Sequence, residues 1–154
     1  MHLVSISPPE LFQALSDPTR LRVMRLLAQS GEESCLCELA DSLSVPDFSL
    51  SRHLKVLRQV GLLAAVKEGR WVYHRVAKGP PYLDGAIALI CSLPDTDKVY
   101  ARDLARFIKC VSLRADDRCR GRDTSPMTKT ASRRGRGGRT RKVGSASRQR
   151  RHEL

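Results

Sequence analysis

No apolar run in the sequence approaches the roughly 18–20 residues that a bilayer-spanning helix needs. The N-terminus also lacks the charged-then-apolar pattern of an export signal. These absences point to a cytoplasmic protein with no membrane partner. The constellations of catalysis are missing as well. His2, His53, His74 and His152 are scattered, and there is no nucleophile–base pair, carboxylate pair or glycine-rich phosphate loop. An enzyme is therefore not expected. No internal repeat is present. Acidic residues are few beside basic ones, 16 against 28, and the net charge of +12 favours a polyanionic partner. The 154 residues, 41% of them hydrophobic, suit one core of about 100 residues with an appendage, and not two full domains. Five cysteines in a reducing compartment read as thiols with an affinity for soft metals, since disulfides do not persist there.

The charge is concentrated at one end. Residues 115–154 hold 13 Lys/Arg against four acids, a net of +9, whereas residues 1–114 hold 15 against 12, a net of +3. The basic end has no aromatic residue, and Val143 and Leu154 are its only aliphatics beyond alanine. Such a segment cannot bury enough surface to offset the entropy of ordering it. The chain accordingly divides into an ordered domain over 1–112 and a disordered basic tail over 113–154. The tail suits salt-dependent contact with phosphates, or serves only as a solubilising extension.

The ordered part reads as helices followed by a hairpin. Glu10–Leu15 is short and apolar on one side. Asp17 is a good N-cap with Pro18 at the first helical position, and Leu21, Met24, Leu27 and Ala28 keep helical spacing down to Gly31. Ser34 is expected to cap a third helix running through Leu43. Pro46-Asp47 opens a fourth, in which Leu50, Leu54 and Leu57 form an inward stripe ended by Gly61. Leu63–Lys67 and Arg70–Val76 flank a Glu68-Gly69 turn, and further helices follow over Tyr82–Leu93 and Thr96–Val111. A helix, a short turn, a second helix and a basic hairpin describe a winged helix-turn-helix, mainly α with a small β-hairpin. On the fourth helix Arg52, Lys55 and Gln59 lie opposite the leucine stripe, flanked by Ser51. That face suits a DNA major groove, with Lys67 and Arg70 at the hairpin tip for phosphates. Three polar residues also describe an ordinary solvated helix surface, and it is the basic hairpin that favours DNA. His53 falls near the buried edge of the wheel, where a structural role and base reading are equally open.

Cys35 and Cys37 are the other informative feature. Thiolates suit thiophilic ions, yet positions i and i+2 of a regular helix point about 200° apart. The two can share an ion only if the start of that helix is not helical; otherwise both are small core residues. Glu38 beside them reads as a helix-surface acid.

Ser16-Asp-Pro-Thr-Arg-Leu-Arg22, Cys35-Leu-Cys-Glu-Leu39, Leu50-Ser-Arg-His-Leu-Lys-Val-Leu57 and Lys67-Glu-Gly-Arg-Trp-Val-Tyr-His-Arg-Val76 together resemble the ArsR (ArsR/SmtB) family of metal-sensing repressors, over about residues 8–110. The resemblance implies a winged-helix homodimer, paired through the first helix and the helix around Tyr82–Leu93. It implies binding to double-stranded operator DNA, and release when a metal or metalloid binds. By the same resemblance Cys35 and Cys37 are ligands of arsenite or antimonite, the inducer, with no catalytic cofactor. Ser49, Ser51, Arg52 and His53 fall in the DNA-reading segment, with Lys55 and Arg70 as phosphate contacts. Zinc and nickel sensors of the family place histidine and acidic ligands on the helix after the wing, where this chain has Asp84 and no histidine. Cadmium/lead sensors add N-terminal thiols, and residues 1–34 contain no cysteine. Two departures stand out. Ala40 occupies the place of a third cysteine, leaving Cys91, Cys110, Cys119, a small thiol or hydroxide to complete the site. The fourth helix also opens with Pro46-Asp47-Phe48, where Asp47 would repel phosphate unless it serves as the N-cap.

Two other readings compete with an arsenite-released repressor. One keeps DNA binding but makes the two cysteines a redox or electrophile sensor. The other is a nonspecific basic nucleic-acid-binding protein acting through its tail, against which the modest +3 of residues 1–114 argues.

Overall fold

Two proline-led helices open the chain in the computed structural model, which describes residues 6–114. Ser7 and Glu10 form a reciprocal capping box, so α1 (Pro8–Leu15) begins two residues earlier than its apolar pattern suggests. Asp17 accepts from the Arg20 amide at 3.0 Å and starts α2 (Pro18–Ser30), which Gly31 ends in the left-handed conformation (φ 66°). Next come β1 (Ser34–Cys35), α3 (Leu36–Leu43), α4 (Asp47–Gln59), β2 (Leu63–Glu68), β3 (Trp71–Val76), α5 (Pro81–Ser92) and α6 (Val99–Ser112).

The hairpin expected from sequence is larger by one strand. The sheet is antiparallel with order β1-β3-β2, because Ser34 and Cys35 pair with His74 and Tyr73. Ser34 is consequently not the cap of α3. It belongs to β1, and Cys35 is the N-cap. Asp47 is not a cap either. Pro46 holds that position and Asp47 is the first residue of α4, where an acid still complements the helix dipole.

The leucine periodicity places the core as expected. Leu50, Leu54 and Leu57 of α4 are buried with Val23, Met24 and Leu27 of α2, Leu39 and Leu43 of α3, and Phe107 of α6. Asp103, 1% exposed, locks α6 to the rest: Arg22 donates to both of its oxygens at 2.8 Å, and Arg106 adds a third contact at 2.8 Å. Arg22 and Arg106 also donate to the carbonyls of Leu43 and Ser42 at the end of α3. The result is a mostly helical winged helix-turn-helix. Among the described residues no helix is long and apolar enough to cross a membrane. Of the basic tail expected over residues 113–154, only Leu113 and Arg114 are described, and Cys119 lies outside the described residues.

Candidate functional site

Cys35 takes an extended backbone (φ −83°, ψ 165°) and lies opposite Tyr73 in the sheet, whereas Cys37 is the second residue of α3. The change from strand to helix falls between them, so the 200° divergence of a regular helix does not apply. Their sulfurs stand 3.0 Å apart. That is too long for a disulfide of about 2.05 Å. Two thiolates ~2.3 Å from one ion at right-angled to tetrahedral geometry stand roughly 3.2–3.8 Å apart, so the pair has to open by only a few tenths of an ångström to share one. Cys35 is 2% exposed, and both cysteines pack with Tyr73 and Trp71 in a cluster separate from the main core. Burial among apolar groups and a shared ion are thus compatible here.

Glu38 fixes this geometry, and it is not the surface acid that its neighbours suggest. It is 7% exposed and its carboxylate accepts from the Cys35 amide at 3.3 Å and the Ser34 hydroxyl at 2.9 Å. Arg114 then donates Nε and Nη2 to the two carboxylate oxygens at 2.8 and 2.9 Å, and Nη2 reaches the Glu33 carbonyl at 2.6 Å. Burial alone would raise the Glu38 carboxyl, but the Arg114 and Ser34 bonds outweigh it and hold it below its ordinary value. The spacing from Cys35 to Glu38, cap to third helical position, is that of a capping box. It is the one local signal that could have exposed this role. Nothing local announces Arg114, which arrives from 76 residues away.

A second tie runs from the sheet to α4. Arg58 Nη1 donates to His74 Nε2 at 2.8 Å, and His74 faces Ser34 across the ladder. Burial first, then the Arg58 charge, pushes the His74 ring down to about 4, so it is neutral at pH 7. Trp71 carries the Arg70 guanidinium over its ring at 4.6 Å. Between α3, α4 and β3 lies a cleft of about 560 Å³, lined by both cysteines together with Leu36, Leu54, Trp71 and Val72. Ser51, Arg58 and Arg70 also border it.

Most of the expected DNA-reading residues are open to solvent. Ser51, Arg52 and Lys55 are exposed, Ser49 is partly so, and Arg70 is exposed at the turn of the wing. His53 differs from them. Its Nδ1 lies 3.6 Å from Asp17 and 3.4 Å from Arg20, which ties α4 to the start of α2. Cys91 on α5 and Cys110 on α6 are both partly buried. Among the described residues neither they nor any other His, Cys, Asp or Glu completes a three-member metal set. Ala40 is 1% exposed in the main core.

Elsewhere, Ile6, Leu11, Phe12, Leu15, Tyr82 and Leu89 line an apolar groove of about 510 Å³ between α1 and α5. Phe12 and Leu89 are 66% and 57% exposed there.

Residues 17–65 match the signature described as bacterial regulatory protein, arsR family. The chain is 39% identical over 101 residues to the arsenical resistance operon repressor of Escherichia coli (strain K12), a match covering 64% of this chain and 86% of that protein. It is 39% identical over 83 residues to the arsenic resistance transcriptional regulator ArsR1 of Pseudomonas putida, covering 53% of this chain and 64% of the relative. An uncharacterized HTH-type transcriptional regulator of Methanocaldococcus jannaschii is 40% identical over 67 residues, or 44% of this chain and 74% of the other.

Proposed function

The chain belongs to the arsR family of bacterial regulatory proteins, as a transcriptional repressor and not an enzyme, and from that premise we propose that it grips operator DNA as a homodimer and lets go when arsenite or antimonite binds Cys35 and Cys37. The observation that carries this reading is the pair of sulfurs 3.0 Å apart at the start of the helix that precedes α4. Soft thiolates in that arrangement suit a trivalent metalloid better than a hard cation. Two of the relatives are named for arsenic resistance, which agrees with the donor set.

Under this reading α4 enters the major groove. Arg52 and Ser51 meet base edges, Ser49 and Lys55 hold the flanking backbone, and Arg70 brings the wing onto phosphate. His53 supports α4 from behind through Asp17 and Arg20. The α1–α5 groove, with Phe12 and Leu89 at its edge, supplies the apolar surface on which a second copy packs. Two such copies read a pseudo-palindrome with half-sites about 10 bp apart or a multiple of that. Closure of the two thiols around a ligand alters the cap of α3 and the β1–β3 pairing together, and through His74–Arg58 and Trp71–Arg70 it alters the set of α4 and the wing. The setting is the cytoplasm, where the thiols stay reduced.

Fluorescence anisotropy of the reduced full-length protein on DNA from upstream of its own gene tests the assignment. Arsenite or antimonite is expected to release the DNA at low concentration while zinc and cadmium do not. Cys35→Ser and Cys37→Ser are each expected to keep DNA binding and lose release. The 3.0 Å separation equally suits oxidation of the pair to a disulfide, so peroxide forms a separate arm. Release by peroxide alone would make this a redox sensor. Indifference to every additive would leave a basic DNA-binding protein whose cysteines are only core.

A further inference from the structure

Phe12, Tyr82 and Leu89 leave apolar surface in water together, along the α1–α5 groove. Phe48 is no part of that groove. It is 71% exposed, the most open large hydrophobic side chain among the described residues, and it is the second residue of α4. Residues three, four and seven apart on a helix share a face. Phe48, Ser51, Arg52 and Lys55 stand in that relation and all four are exposed, while Leu50, Leu54 and Leu57 turn into the core. A single exposed apolar residue is ordinary on a protein surface. Phe48 is set apart by its company, since it opens the cationic face of α4 at the N-terminal end that a recognition helix directs at the bases.

We propose that Phe48 is a base-reading residue, its ring packing on the C5 methyl group of a thymine in the major groove. This rests on the assignment of α4 as the helix that enters that groove. A phenyl ring has no donor or acceptor and takes no part in the hydrogen-bond code of the base edges. Guanine, adenine and cytosine show donors and acceptors there, whereas thymine adds a methyl group, the one apolar partner on offer. Ring against methyl removes apolar surface of both from water. Ring against any other edge strips water from a donor or acceptor and gives no bond in return, so the preference has a repulsive side as well.

Arg52 supplies the complementary contact one turn further on. Side chains four apart on a helix spring from Cβ atoms about 5–6 Å from each other, so the ring and the guanidinium reach adjoining base pairs. The half-site this pair selects places a thymine beside a base that accepts from arginine, for which guanine is the usual partner.

Thymine and uracil differ by that methyl group alone, so the contact can be deleted from the DNA without touching the protein. The full-length reduced protein selects its sites from a random duplex pool, and Phe48→Ala does the same. Each thymine in one half-site of the wild-type selection is then replaced in turn by deoxyuridine, with affinity read by fluorescence anisotropy. One replacement is expected to weaken the wild type about fourfold, the value of one methyl group taken out of water, and to leave Phe48→Ala indifferent. On the unmodified site Phe48→Ala should bind more weakly than the wild type, and its own selection should no longer fix that thymine. Its binding to random-sequence DNA and the salt dependence of that binding should be unchanged, because no phosphate contact is lost. Its unfolding midpoint should match the wild type, as an exposed side chain allows. A selected site with no fixed thymine, or uracil tolerated at every position, overturns the proposal. So does a uracil penalty that persists undiminished in Phe48→Ala, which would assign the methyl group to another residue. Equal weakening on selected and random DNA would make Phe48 a general contact and overturn it too. If the wild type enriches no sequence at all, the parent reading of α4 as a base-reading helix falls instead.

Discussion

Removing the Arg114 side chain isolates the element that holds the thiol pair in register. In Arg114→Ala the Glu38 carboxylate, 7% exposed, loses two charged hydrogen bonds of 2.8 and 2.9 Å, and the Glu33 carbonyl loses the 2.6 Å bond from Nη2. Breaking a buried pair by deleting one partner costs about 3–5 kcal/mol, because the other charge stays buried without compensation. Glu32, which also faces Arg114, is half exposed, so water reaches this edge of the site and the expected cost is about 2–3 kcal/mol. Glu38→Gln is expected to cost less, since Arg114 keeps the Glu33 carbonyl and Glu32. The double variant should cost less than the sum of the two, the mark of direct coupling. Guanidinium chloride unfolding of the three variants at one protein concentration measures all of this, the fixed concentration being needed because a dimer's stability depends on it. A loss under about 0.5 kcal/mol in Arg114→Ala is the value of a surface ion pair. It would refute the claim that Arg114 clamps a buried acid.

Asp103→Ala, which leaves Arg22 and Arg106 facing each other without their shared carboxylate, should destabilise the fold by about 3 kcal/mol in the same unfolding assay. The His74 ring titrates near 4 when folded and near 6.5 when unfolded, so the unfolded chain binds the extra proton first. Stability contributed by the neutral ring is therefore complete above about pH 6.5 and is lost as pH falls toward 4, by at most roughly 3 kcal/mol. His74→Gln should flatten that window, which unfolding midpoints measured from pH 7 to pH 4 would show; the Glu38 contribution is lost lower, below its ordinary 4.5. Arg52→Ala should weaken operator binding about tenfold or more and relax base preference, whereas Lys55→Ala should weaken all sequences alike. Deleting residues 115–154, which carry a net +9, should lower affinity for any DNA and flatten its salt dependence; a collapse of sequence preference instead would mean that the tail reads bases.

Much of the architecture was legible because it rests on local periodicity. The leucines of α4 and the Asp17-Pro18 start of α2 write their helices into consecutive residues, and the exposed face of α4 followed from the same wheel. What escaped depends on pairing across the chain. A strand of two residues is too short to leave an alternation, so Ser34 looked like a cap and the sheet lacked its third member. The approach of the two sulfurs follows from that strand and from the cap, since Cys35 is extended both as the partner of Tyr73 and as the N-cap of α3. Glu38 reads as solvated for the same reason: beyond the capping-box spacing nothing in its neighbours marks it, and the partner that buries it is Arg114. Legibility stopped where a role is conferred by a residue far along the chain.

The placing of β3 in the middle of the sheet has a consequence for speed. Its outer half forms one arm of the wing, and its inner half is the seam to which Cys35 is stitched. Under the proposed assignment, binding at the sulfurs reaches the wing along this single strand, beside the second route to α4 through His74 and Arg58. Collective shifts in a folded protein fall in the microsecond-to-millisecond range, whereas ligand capture in the proposed function is a bond-exchange step at sulfur. Under that assignment the response is expected to keep time with ligand substitution at sulfur, and dissociation from DNA should follow ligand capture without a measurable lag.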